Sequence, residues 1–218
     1  MIQVYNTPAW LTAFSTGRDS GVEDVGLRLE DLALPRQVHS DHVCWMKEAG
    51  RPEETDAVIT DQPGLCACVK TADCIPVLLY DTRQRIVAAV HAGWRGTVAR
   101  IVQKTIRQMK PLTPSDLHAI IGPGISLEWF EVGDEVYEAF KAADFPMERI
   151  ARRFPSKTDG GAWHIDLWDA NRWLLEQMGV EDIYIEGTCT RTFMDFYSAR
   201  RETINTGRNY NGIYINSK

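Results

Sequence analysis

The run Arg85-Ile86-Val87-Ala88-Ala89-Val90-His91 has no polar side chain between its two ends. An apolar run of that length, without the alternation of a half-solvated strand, marks a strand buried on both faces. The sheet that holds it therefore needs covering on either side. Ala92-Gly93-Trp94-Arg95-Gly96 then breaks the strand. Val98, Ile101, Val102, Ile106 and Met109 recur at the spacing of one helical face and predict a helix from about Thr97 to Met109, ended by Pro111 and Pro114.

Other elements fall around this one. Asp56–Thr60, Leu65–Lys70 and Pro76–Tyr80 read as strands, with Asp61-Gln62-Pro63-Gly64 and Asp81 to Gln84 as turns. Ile120-Ile121, Ile183–Ile185 and Gly212–Ile215 supply later strands, and residues 1 to 34 read as short strands and turns. Val132–Ala143 and Leu167–Met178 read as helices, the second with Asp166 as N-cap and Gly179 as its stop. Tight turns between neighbouring strands argue for a mixed sheet flanked by helices, an α+β fold, rather than a purely parallel sheet. With no linker or low-complexity tract in 218 residues, one domain spanning 1–218 is expected.

The formal net charge is -6, with no basic stripe, which argues against a nucleic-acid partner. No apolar run approaches membrane-spanning length, so no membrane partner is expected. Met1–Tyr5 lacks the basic and apolar segments of a secretory signal, and a cytoplasmic location is expected. The five cysteines are then read as thiols rather than a disulfide framework.

The chain has five histidines: His39, His42, His91, His118 and His164. His91 stands where the buried strand turns into a helix, and Cys74 stands where one strand has ended and another begins. His39 lies just past an extended segment after Pro35. Two imidazoles and a thiolate make a zinc set that leaves the fourth tetrahedral position open, as in catalytic rather than structural sites. Read from spacing alone, satisfied core histidines beside a buried Cys explain them equally well. Cys66 and Cys68 share one strand face and could join Cys44 or His42 in a structural site; core packing is favoured. Gly93-Trp94-Arg95-Gly96, at a helix start, could hold a phosphate with the Arg95 guanidinium, or be a plain turn. Asp73 is either an acid/base group or a turn cap.

Several blocks, in order, resemble one family. They are Gln37-Val38-His39, Asp56–Thr60, Lys70-Thr71-Ala72-Asp73-Cys74-Ile75-Pro76, Val87–Gly96, Gly122-Pro123, Glu131–Val136, Asp166-Leu167-Trp168, Cys189-Thr190 and Tyr197–Arg201. The pattern is similar to the YfiH-like, or multicopper polyphenol oxidase/laccase-domain, family across nearly the whole chain. The resemblance implies a mixed β-sheet sandwich flanked by helices, related to the cytotoxic-necrotizing-factor deamidases. It implies zinc at His39, Cys74 and His91, with copper as the alternative metal. It also implies phosphorolysis of adenosine, inosine and methylthioadenosine, and deamination of adenosine. A purine nucleoside and phosphate are then the partners, with Arg36 or Arg95 steadying the phosphate and Cys74, His91 and Asp73 in the catalytic set. Glu128-Trp129 stands where relatives usually carry a Cys pair, a departure that bears on specificity.

Two other activities compete. A copper polyphenol oxidase would use the same two His and one Cys, but a multicopper cluster needs more histidine than five. Cys74 as a nucleophile with His91 as base would give an amide hydrolase or peptidoglycan-editing factor.

Overall fold

Every residue of the apolar run from Ile86 to Ala92 is buried, in a strand whose two faces meet different layers. The computed structural model describes residues 1–155 and 161–217. A five-stranded sheet has the order β1 (Ile2–Val4), β2 (Leu11–Thr16), β14 (Asn209–Ile215), β6 (Cys66–Thr71), β3 (Leu32–Ala33). A six-stranded sheet has the order β13 (Asp182–Ile185), β9 (Leu117–Ile121), β7 (Ile75–Asp81), β8 (Ile86–Ala92), β5 (Ala57–Thr60), β4 (Val43–Trp45). A small third sheet joins β10 (Glu131–Val132), β12 (Ala162–Ile165) and β11 (Ala151–Phe154). The β3–β6, β4–β5 and β9–β13 pairs are parallel and the others antiparallel, so the fold is mixed α+β.

Alternation along each strand sorts the core into layers. Val58, Leu78, Tyr80, Val87, Ala89 and Ile120 pack against Ala13, Ala67, Val69 and Ile213, joining the two large sheets face to face. The opposite face of the six-stranded sheet, with Ile59, Val77, Leu79, Ala88 and Val90, packs on the helices. These are α1 (Trp94–Val98), α2 (Ile101–Met109), α3 (Asp134–Ala142), α4 (Met147–Ile150) and α5 (Leu167–Glu176). The outer face of the five-stranded sheet has its own small cluster, which includes Phe14, Leu32, Cys66 and Cys68. His91 and Asp56 share the parity of Ala89 and Val58, and so belong to the face between the sheets.

Several helix boundaries differ from expectation, α5 among them, which ends at Glu176 rather than Met178. The helix expected over Thr97–Met109 is two, α1 and α2, broken at Arg100, whose φ of 63° is left-handed. Tertiary contacts hold the break: Arg100 Nη2 donates to Ala143 O at 2.7 Å, and the guanidinium lies over Phe145 and Trp173. The helix expected from Val132 starts at Asp134, because Val132 is paired with Trp163 in the small sheet. Asp166 does cap α5, accepting from Asp169 N at 2.9 Å. No helix among the described residues is long and apolar enough to cross a membrane.

Candidate metal centre and its cavity

Between β6 and β7 the chain passes from one large sheet to the other, and Ala72-Asp73-Cys74 makes the passage. The turn places Asp73 at a φ of 94°, a left-handed value that a non-glycine residue holds only when its surroundings enforce it. They do. Thr190 Oγ1 donates to Asp73 Oδ1 and the Arg200 backbone N–H donates to Oδ2, both at 2.7 Å. With both oxygens engaged, the buried Asp73 carboxylate ties the 198–201 loop to the sheet crossing and so presents Cys74 at the start of β7.

His91 comes from the neighbouring strand, directly across from Pro76. Its Nδ1 lies 2.7 Å from Asp56 Oδ1. An ionised carboxylate only accepts, so the proton sits on Nδ1 and Nε2 is left as the ligand atom. The same carboxylate accepts from three successive backbone N–H groups, Val38 and His39 at 3.1 Å and Ser40 at 2.7 Å, and from Ser40 Oγ at 2.7 Å. Asp56 is fully buried. Burial works against its charge, but the bonds from His91 and Ser40 outweigh it and bring the pKa down to about 2. One carboxylate therefore orients one imidazole and shapes the left-handed turn (His39 φ 61°) that carries the other.

The two imidazole rings lie edge to face with centroids 4.8 Å apart, and Cys74 Sγ lies 3.8 Å from His39 Nε2. All three donor atoms fall within 4.8 Å of one another. Tetrahedral zinc with ordinary bond lengths would set sulfur and nitrogen about 3.6 Å apart. The donor set therefore fits one ion of that size, and the Asp56–His91 contact is the usual support of a ligating imidazole. The electrostatics agree. Burial raises the Cys74 thiol, but the charge on His91 and the hydrogen bonds of both imidazoles lower its pKa to about 6. Burial disfavours the His91 cation, yet Cys74 and Asp56 raise its pKa to about 9.

Gly93 shows how closely the backbone approaches. A Cβ there would stand 3.1 Å from both Cys74 Sγ and His39 Cδ2, so a side chain would press directly on two donors.

The centre opens into a cavity of about 630 Å³, a size suited to a small-molecule ligand. Its walls include Arg36, Gln37, Arg51, Lys70, Asp73, Phe130, Arg200 and Arg208 beside His39, Cys74 and His91. Arg36 thus reaches the cavity, where it pairs with Glu53 at 3.2 Å. Arg95 is exposed, with its guanidinium 4.4 Å from the Trp94 ring, and is not among the lining residues. Cys66 and Cys68 are wholly buried on the outer face of β6. The other histidines are elsewhere: His42 meets Glu54 O, His118 meets Asp182, and His164 meets Leu127 O. Trp129, in the Glu128-Trp129 departure, carries Arg191 over its ring at 4.2 Å, and its carbonyl accepts from Arg200.

Asp56 lies in one of the motif blocks, but nothing local in the sequence marks its role beyond its polar character at the head of an apolar strand. Arg51 and Arg208 carry no such signal and Lys70 only its place in a motif block, since the three come from segments far apart in the chain.

The family model for multi-copper polyphenol oxidoreductase laccase matches residues 13–216. A purine nucleoside phosphorylase of Bacteroides thetaiotaomicron is 44% identical, over 85% of this chain and 74% of its own length. Adenosine deaminase RL5, from an unknown prokaryotic organism, is 42% identical over 87% of this chain and 77% of its own. The crystal structure of Neisseria meningitidis protein NMB0706 superposes with a TM-score of 0.87 at 29% identity, covering 99% of each chain. On the evidence of its ordered motif blocks, its sheets and these matches, the chain belongs to the multi-copper polyphenol oxidoreductase laccase family, the YfiH-like proteins.

Proposed function

We propose that this protein is a zinc-dependent purine nucleoside enzyme that cleaves adenosine, inosine and methylthioadenosine with phosphate and deaminates adenosine. The observation that carries the reading is the convergence of His39, Cys74 and His91 at the floor of a cation-lined cavity. The names of the similar phosphorylase and deaminase point the same way. The chain acts as one catalytic domain, 1–218, in the cytoplasm.

Zinc held by the three donors would supply a Lewis acid facing the cavity. The chain's own residues do the rest. Asp56 holds the Nδ1 proton of His91 and keeps Nε2 turned to the donor cluster. Asp73 holds the crossing that presents Cys74, a positioning part rather than proton transfer. The cationic wall, Arg36 included, draws the phosphate co-substrate. Copper as the resident metal would suit the donor types, but among the described residues no further histidine joins the His39, Cys74 and His91 donor group, as a multicopper cluster would need.

The test is incubation of the zinc-loaded protein with adenosine, with and without phosphate. Adenine and ribose 1-phosphate should form only with phosphate, and inosine with or without it. Absence of all three products ends this reading.

One observation favours a second reading. Cys74, His91 and Asp56 also line up as thiol, imidazole and carboxylate, with the thiol pKa at about 6, as a cysteine hydrolase would need. His39 against the same sulfur favours metal ligation instead. A covalent acyl group trapped on Cys74 would reverse that preference.

A further inference from the structure

We propose that Arg51, Lys70 and Arg208 form a subsite for a tetrahedral oxyanion, and that its occupant is the inorganic phosphate consumed in phosphorolysis. The inference rests on the phosphorylase reading for its occupant, but the anion site itself rests on the cavity.

Charge accounting carries it. Five cationic side chains line the cavity, Arg36, Arg51, Lys70, Arg200 and Arg208, against one carboxylate, Asp73. Asp73 is already engaged by Thr190 and the Arg200 backbone. Arg36 has Glu53. The Arg200 guanidinium is held by the carbonyls of Trp129 and Glu131 and lies over Phe130. That leaves Arg51, Lys70 and Arg208, none of which has a carboxylate within ion-pair distance among the described residues. Three cations without a carboxylate partner therefore line one cavity, close enough for Arg51 and Arg208 to act on the charge of Lys70.

The arrangement is also built. Gln37 brackets the Lys70 backbone, its Nε2 donating to Lys70 O and its Oε1 accepting from Lys70 N, both at 2.8 Å. Arg208 donates to the carbonyls of Ile204, Thr206 and Gly207, which fixes its guanidinium without neutralising it. Burial and the nearby charges of Arg51 and Arg208 lower the pKa of Lys70. Mutual repulsion of this kind destabilises the empty site and is relieved when an oxyanion binds. Phosphate offers several acceptor oxygens to such a set.

The experiment is calorimetric titration of zinc-loaded protein with inorganic phosphate, alongside KM for phosphate in the phosphorolysis assay. Arg51→Met and Lys70→Met should each weaken phosphate binding about 10- to 100-fold, as loss of a charge-assisted hydrogen bond does. KM should rise more than kcat falls, and Lys70→Arg should recover most of the affinity. Arg107→Met, which removes a charge on exposed helix surface, should bind phosphate as wild type does. Unchanged affinity for both inorganic phosphate and adenosine 5′-monophosphate in both methionine variants overturns the subsite. If the variants lose adenosine 5′-monophosphate but keep inorganic phosphate, the occupant is a substrate's own phosphoryl group and the phosphate assignment is overturned. Phosphate binding that depends on these residues in a wild type without phosphorolysis upholds the anion subsite and removes the phosphorylase reading instead.

Discussion

Cys66 and Cys74 lie eight positions apart, one inside β6 and the other just past its end, and they are opposite kinds of thiol. Cys66 is fully buried on the outer face of the five-stranded sheet, where burial first and the neighbouring Cys68 second push its pKa well above the ordinary value. Cys74 suffers a burial penalty too, but His91 and His39 more than offset it. The difference teaches that full burial makes a cysteine inert filler, while a half-buried place beside two imidazoles makes it a thiolate ready for a cation.

The sharpest way to break this comparison is to exchange the two thiols for hydroxyls. Cys74→Ser should fall from about one zinc per chain to almost none, as loss of one of three protein ligands implies. Cys66→Ser should keep its zinc and lose only stability, about 1–3 kcal/mol for a hydroxyl placed in an apolar cluster. Metal analysis and thermal unfolding of the two variants decide the matter. Equal zinc content in both would erase the distinction.

A smaller effect is expected from Asp56→Asn. The substitution keeps the shape but removes the charge that accepts from His91 and from three backbone N–H groups. Zinc affinity, read by competition with a chelator, should drop about 10- to 100-fold, the usual range for a lost supporting partner of a metal ligand. Affinity equal to wild type would show that the ligands hold their geometry unaided.

The subtlest expectation concerns pH in the metal-free protein. The raised pKa of His91 contributes stability that is present at low pH and lost as pH rises through about 9. The lowered pKa of Cys74 contributes stability that is present at high pH and lost as pH falls through about 6. The thiolate–imidazolium pair therefore operates between about pH 6 and 9, and the Tm difference between wild type and Cys74→Ser should be largest there. Alkylation of Cys74 should rise through pH 6, while Cys66 stays unlabelled until the protein unfolds. A Tm difference flat across that range would contradict the pairing.

Much of the fold was legible because its signals are local. The apolar run ending at His91 could only be a strand covered on two sides, and it is. Asp166 and Gly179 mark the ends of the segment that forms α5. The helix break at Arg100 was not legible, since Val98 to Met109 keep a helical spacing throughout. What stops the helix is a guanidinium reaching Ala143 and two aromatic rings. The site divides the same way. His39, Cys74 and His91 attract notice as donor types at element ends, and these are the three that meet. Arg95 drew notice for its place in a glycine turn, yet its side chain lies on Trp94 outside the cavity wall.

The sequence by itself determined that the central segments around Ala57–Thr60, Cys66–Thr71, Ile75–Asp81 and Ile86–Ala92 are strands, which of their residues share a face, and which side chains have the chemistry to bind a cation. Those properties follow from residues within a few positions of one another. Tertiary structure alone decided that the β6-to-β7 passage between sheets brings Cys74 beside His91, and that Asp56 organises both imidazoles. It also gathered Arg51, Lys70 and Arg208 from three distant segments onto one wall. The physical reason is that strand pairing and sheet stacking set distances between residues remote in the chain, and no local pattern encodes those distances.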